Sequence, residues 1–263
     1  MKACEGWRSR YFIELLAPKQ DAVNLEQDLE TFARKYRTIL AEGHIVSLTD
    51  NPMGHLSFQA TELIAELGLP VVPDQVLVHL NTCHTREGLD EVLTRARELG
   101  IRCLLVVTGD GSPRLPKLTP ESLGVATNSV TSVELLGHIQ RAYPDGFHCG
   151  VAFNPYEPPE HELEKLERKL GAGAQFVITQ PLLRPEERVL ALRRYGVPVI
   201  LGAWMSRKLH LLSECVGYPI PEDTPYDPLA TLRALRESCG ECGLYLSVVN
   251  LEKQLPQIRE LLK

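Results

Sequence analysis

The sequence predicts a single closed (β/α)8 TIM barrel over residues 1–263, with its site at the C-terminal ends of the strands. Three observations carry that prediction. Eight short apolar runs alternate with amphipathic helical stretches along the chain. The runs are almost continuously apolar, as parallel strands covered on both faces are. The length, 263 residues with no break in composition, is that of one such barrel.

The strands are expected at residues 11–16, 45–48, 76–80, 103–107, 147–153, 176–179, 197–201 and 244–249. Between the first two, Leu25, Leu29, Phe32, Ala33, Tyr36, Ile39 and Leu40 recur at helical spacing and make one apolar face over 24–43. Leu56, Ala60, Leu63, Ile64 and Leu67 repeat the pattern up to Gly68, and Leu89, Val92, Leu93, Ala96 and Leu99 repeat it up to Gly100. Helices over 132–143, 160–170, 186–195 and 229–238 continue the series. A last helix over 251–263 carries Pro256 in its first turn or at its true start. The competing dinucleotide-binding sheet expects a glycine fingerprint after the first strand, and none stands there. Gly171-Ala172-Gly173-Ala174 precedes a strand and reads as a tight helix-to-strand turn.

Composition narrows the function classes. A formal charge of −6 lacks the basic footprint of a nucleic-acid binder. No apolar run approaches the roughly 18–20 residues needed to span a bilayer. Residues 1–10 show no apolar stretch of a secretory signal, which points to the cytoplasm. The seven cysteines are scattered and expected to be reduced, with Cys239-Gly240-Glu241-Cys242 read as a helix-ending turn carrying two thiols.

The polar residues at the predicted strand tops are Glu14; Thr49, Asp50 and Asn51; His79, Asn81 and Thr82; Thr108 and Asp110; Asn154; Gln180; Trp204; and Asn250. No lysine lies within the strands, which argues against Schiff-base chemistry. The histidines and acids do not cluster as metal ligands, so no metal is expected. Glu14 interrupts the apolar run Phe12-Ile13-Glu14-Leu15-Leu16, where burial raises a carboxyl pKa and makes a usable acid near neutrality. Asp110 lies in the tight turn Thr108-Gly109-Asp110-Gly111. Trp204 reads equally as a stacking face for a flat heterocycle or as a cover for the barrel edge. Cys83 and His84 adjoin the third strand top.

Taken in order, these segments resemble the methylenetetrahydrofolate reductase family. Phe12-Ile13-Glu14-Leu15-Leu16-Ala17-Pro18 is similar to its F-E-F-F-P-P opening, Val46-Ser47-Leu48-Thr49 to its V-S-V-T, and His79-Leu80-Asn81-Thr82-Cys83 to its H-L-T-C. Thr108-Gly109-Asp110 is similar to its T-G-D turn. The stretch from Arg168-Lys169-Leu170-Gly171-Ala172-Gly173-Ala174 to Ile178-Thr179-Gln180 is similar to its K-x-D-A-G-A…I-T-Q block.

The resemblance implies a flavoenzyme of one-carbon metabolism. Reduced FAD would pass hydride to 5,10-methylenetetrahydrofolate, giving 5-methyltetrahydrofolate, with electrons from NAD(P)H or a donor protein. It implies Glu14 as the acid and Asp110 as a carboxylate near flavin and pterin. Thr49, His79, Thr108, Gly109, Asp110, Asn154 and Lys169 would hold the cofactor, and Gln180, Asn250 and Trp204 the folate. The alternatives are a folate-binding methyl-transfer protein and a flavin-free or non-catalytic subunit, with homo- or hetero-oligomers open. Val151-Ala152-Phe153-Asn154-Pro155-Tyr156-Glu157 departs from the family's A-Y-P-E-x-H-P-E-A segment, with His161 and Glu162 as candidates for part of its role.

Overall fold

The computed structural model describes Trp7 and residues 10–261. Its parallel strands are β1 (Tyr11–Leu15), β2 (Ile45–Leu48), β3 (Val76–Leu80), β4 (Cys103–Val106), β5 (His148–Phe153), β6 (Phe176–Leu182), β7 (Val199–Trp204) and β8 (Gly243–Ser247), in the order of a closed barrel. The fold is a (β/α)8 TIM barrel. By contact density the chain forms two compact units.

One unit comprises Leu15–Val151 and Glu167–Gln175. It contains β2 to β4 and most of β5, with the helices α1 (Leu25–Ala41), α2 (Ala60–Glu66), α3 (Arg86–Glu98), α4 (Pro120–Leu123) and α5 (Ser132–Ala142). On α1 the buried residues are Phe32, Ala33, Tyr36 and Ile39, the inner part of the predicted apolar face. α3 and α5 begin where threonine side chains accept backbone N–H groups: Thr85 from Gly88, and Thr131 from Val133. Glu134 accepts in return from the Thr131 N–H.

The other unit comprises Met1–Glu14, Ala152–Leu166 and Phe176–Lys263. It contains β1, β6, β7 and β8 with α7 (Glu187–Leu190), α8 (Leu209–Val216), α9 (Pro228–Ser238) and α10 (Leu251–Leu261). α6 (Pro159–Gly171) begins in this unit and ends in the first. β1 pairs with β8 in the register Phe12↔Tyr245 and Ile13↔Leu246. Trp7 is buried and meets the rings of Phe12 at 5.1 Å and Phe176 at 4.9 Å edge-on, an aromatic plug at the N-terminal end of these strands.

Several expectations are corrected. β6 runs on to Leu182 because a bulge between Ile178 and Pro181 resets its register against β7. The helix expected over 186–195 is the short α7 followed by a 3-10 turn, Ala191–Tyr195, closed by Gly196. α4 and α8 were not anticipated. Pro256 lies inside α10, past its first turn, where it removes the N–H that would reach back to Glu252. Residues 262–263 of the expected last helix lie outside the described residues, as does Cys4. Cys239 and Cys242 form a disulfide: the chain turns sharply after α9 and brings their Cα atoms within 5.4 Å, inside bridging range.

Candidate active site

In the unit built on β2 to β5, the strand ends and their loops are tied by one buried carboxylate. Asp50, just past β2, accepts from the Asn81 backbone N–H at 2.8 Å and from His84 Nε2 at 2.7 Å. The Asn81 side chain donates to the Asp50 carbonyl at 2.7 Å and accepts from the Cys83 N–H at 2.7 Å. Burial opposes a proton on His84, but the hydrogen bond and charge of Asp50 outweigh it and raise its pKa. Burial, then the charges of Asp50 and Asp110, push the Cys83 thiol up, so it is a poor nucleophile.

Gly109 completes this knot. Its φ is +81°, and a Cβ there would come 2.7 Å from the Asn81 Cβ, so the position needs glycine on both counts. The next residue, Asp110, is exposed and accepts from the Met53 N–H at 3.1 Å, which joins the β4 loop to the β2 loop. Asp110 thus presents a carboxylate to solvent from a braced turn.

His79 stands one residue before the end of β3, partly accessible but deep among protein atoms. Ser47 meets its Nε2 at 2.9 Å. Burial lowers its pKa to about 4 against the pull of Asp50, so the ring is neutral at physiological pH. Thr49 is buried, and its hydroxyl accepts from the Ala17 N–H at 3.3 Å. Thr108 is exposed and accepts from the Ser132 N–H at 3.1 Å, with its own hydroxyl proton left to donate. Lys169 is buried in the last turn of α6, the turn that leads into the N-terminal end of β6.

The other unit holds the candidate acid. Continuing the β1–β8 register by one residue brings Glu14 level with Ser247. The Tyr245 hydroxyl donates to Glu14 Oε2 at 2.7 Å, and Ser247 is a second hydrogen-bond partner of the same carboxyl. Burial raises the Glu14 pKa, and the two hydroxyls partly offset it. Glu14 keeps some accessible surface, as an acid that meets a ligand must. Sequence reading singled out Glu14 and missed both hydroxyls, although the Leu244-Tyr245-Leu246-Ser247 alternation puts them on one face of the last strand.

The remaining predicted residues fall in different settings. Gln180 lies in the β6 bulge and is partly exposed, with no hydrogen-bond partner among the described residues. The bulge is held where the Gly202 N–H donates to the Thr179 hydroxyl at 2.9 Å. Asn154 closes a turn by accepting from the Tyr156 N–H at 3.0 Å. The Asn154 N–H donates to buried Glu162 at 2.9 Å, which gives Glu162 a structural task. Trp204 is 5% exposed and packs with Leu209, Leu212, Val216 and Ile220, covering the end of β7. Asn250 is exposed and accepts from the Lys253 N–H at 3.2 Å, as a helix cap does for α10.

Among the described residues no group of three His, Cys, Asp or Glu side chains is placed to hold a metal ion. No helix among them is long and apolar enough to cross a membrane.

The chain matches the family model for methylenetetrahydrofolate reductase over residues 4–194. It is 30% identical over 182 residues to methylenetetrahydrofolate reductase 2 of Saccharomyces cerevisiae, covering 65% of this chain and 28% of that protein. It is 32% identical over 122 residues to methylenetetrahydrofolate reductase 2 of Schizosaccharomyces pombe, covering 41% and 18%. The matched stretches are thus under a third of each yeast protein. A Clostridium thermocellum protein described as binding two copies of 5-methyl-5,6,7,8-tetrahydrofolic acid shares the fold, with a TM-score of 0.59 and 14% identity over 97% of this chain and 95% of that one. The Yersinia pestis enzyme DHPS, solved with a pterine-sulfa conjugate, has a TM-score of 0.51 and 11% identity over 97% and 94%.

Proposed function

Because the chain belongs to the methylenetetrahydrofolate reductase family, we propose that it reduces 5,10-methylenetetrahydrofolate to 5-methyltetrahydrofolate with FAD as its cofactor. The observation that carries the reading is Glu14, a lone acid in an apolar strand whose carboxyl burial keeps protonated above the ordinary carboxylate range. Opening the folate's five-membered ring requires a proton on the departing nitrogen, and Glu14 supplies it as general acid. The C. thermocellum fold neighbour, which binds a methylfolate, is in keeping with a folate ligand.

The chemistry of the His79, Thr108 and Asp110 side chains is of the kind that the hydrogen-bonding edge of a flavin ring takes. The spare Thr108 hydroxyl proton and the exposed Asp110 carboxylate offer a donor and an acceptor, and the neutral His79 ring adds no charge beside them. FAD, when bound, would supply the hydride that the substrate's methylene carbon takes. His79, Thr108 and Asp110 would hold the ring, the knot of Asp50, Asn81 and Gly109 braces their loops, and Gln180, whose side chain has no partner among the described residues, would serve the pterin.

A flavin-free folate-binding or methyl-transfer role is the second reading. It is favoured by Thr49 and Asn154, whose side-chain oxygens serve backbone N–H groups, and by Lys169, which lies in the helix turn entering β6.

The visible spectrum of the purified chain after incubation with FAD separates the two. Tight flavin binding, re-oxidation of the reduced flavin by methylenetetrahydrofolate, and loss of that turnover in Glu14→Gln with flavin retained are expected. A chain that binds folate and takes up no FAD favours the second reading.

A further inference from the structure

Among the described residues, the groups that act on the Glu14 carboxyl are two hydroxyls, Tyr245 and Ser247. Tyr245 and Ser247 stand two residues apart on β8, so both side chains fall on one face of the strand, and the parallel register sets that face against Glu14. Tyr11, on the opposite face of β1, is influenced by Arg236, whereas burial and the two hydroxyls are what act on the Glu14 carboxyl among the described residues. Both β8 residues are buried, so water does not stand in for them. A phenol and an alcohol donate well to a carboxylate, and the Tyr245 contact at 2.7 Å is the length of a strong O–H···O bond.

We propose that Tyr245, supported by Ser247, is the positioning residue of the acid: it occupies Glu14 Oε2 as a donor, so that the transferable proton resides on Oε1. This rests on the reading of Glu14 as proton donor. In the transfer the Oε1–H bond breaks, an N–H bond forms at the substrate nitrogen, and the O–H electron pair stays on the carboxylate. That carboxylate meets two hydroxyl donors already in place and needs no reorganisation, the condition under which fixed dipoles lower a barrier. Burial raises the Glu14 pKa, and the hydroxyls work against that rise without admitting water. Tyr245 acts through Glu14 and touches no reacting atom.

The test reads the carboxyl itself. The protonated Glu14 C=O stretch, assigned by its loss in Glu14→Gln, is titrated by infrared difference spectroscopy in the full-length chain without added cofactor. Tyr245→Phe fills the same space and removes one donor to a charged group, so the midpoint should rise by about one pH unit, a tenfold change in proton affinity. Ser247→Ala should raise it by less, and carries the test if Tyr245→Phe fails to fold. Midpoints within about 0.2 units of the parent in every folded variant, or lower than it, overturn the proposal. A raised midpoint in a chain that turns over no folate upholds the positioning role and refutes the reductase reading. In an active enzyme, Tyr245→Phe should also lower kcat and move the alkaline fall in activity to higher pH, which a purely structural role would not do.

Discussion

A urea-denaturation series from pH 7.5 to pH 4, run on the chain and on its His79→Gln variant, isolates the effect of one imidazole. His79 has its pKa lowered from 6.5 to about 4, chiefly by burial. In the unfolded chain it binds a proton as the pH falls through 6.5, and in the folded chain it does not until about 4. A group with a depressed folded pKa contributes stability that is present above the unfolded value and lost as pH falls toward the folded one. At about 1.4 kcal/mol per pH unit, the folded state should lose about 2 kcal/mol by pH 5 and about 3 kcal/mol by pH 4 through this ring alone. His84 and Glu14, whose pKa values are raised, act with the opposite sign, but both remain in the variant and cancel in the difference. Glutamine keeps a polar partner for Ser47 without titrating. The variant's stability should therefore depend less on pH, and the two curves should diverge below pH 6.5. Parallel curves would refute the argument, because they would mean that His79 takes up its proton in the folded state as readily as in the unfolded one.

Two further outcomes follow from the same unit and from the disulfide. Asp50→Asn removes the charge that sustains the buried His84 contact and should cost about 3 kcal/mol in chemical denaturation at pH 7; a loss under about 1 kcal/mol would show the couple to be incidental. Alkylation in denaturant should label two fewer cysteines without reductant than with it, and the peptide spanning Cys239 and Cys242 should carry the missing pair; full labelling without reductant would contradict the bridge.

Much of the fold was legible because it rests on local chemistry. Near-continuous apolar runs mark strands covered on both faces, and the apolar spacing on α1 and α3 marks the faces that become buried. Where local chemistry is ambiguous, the folded chain departs from the sequence pattern. Pro181 argues for the end of a strand, yet β6 passes through it, since the bulge resets the register and continues the pairing with β7. The cysteine pair was visible as a spacing, but whether two thiols bond depends on how the chain turns between them.

Glu14 was recognisable from sequence alone, because a carboxyl in an apolar strand announces a desolvated acid. Its partners were not: Tyr245 is 231 residues away and meets it only because the first and last strands pair. The same holds for Asp50 and His84, 34 residues apart, and for Asn81 against Gly109, where only the folded backbone shows that no side chain fits. The tertiary structure likewise drew Asn154 and Asn250 into turn and cap hydrogen bonds and put Trp204 in an apolar cluster. Sequence by itself determined the barrel, the family and the identity of the candidate acid, since periodicity, motif order and burial of a charge are properties of short segments. Only the tertiary structure decided which groups contact that carboxyl and which strand-top residues keep a polar atom to offer, because hydrogen bonds are satisfied between segments that the chain order keeps apart.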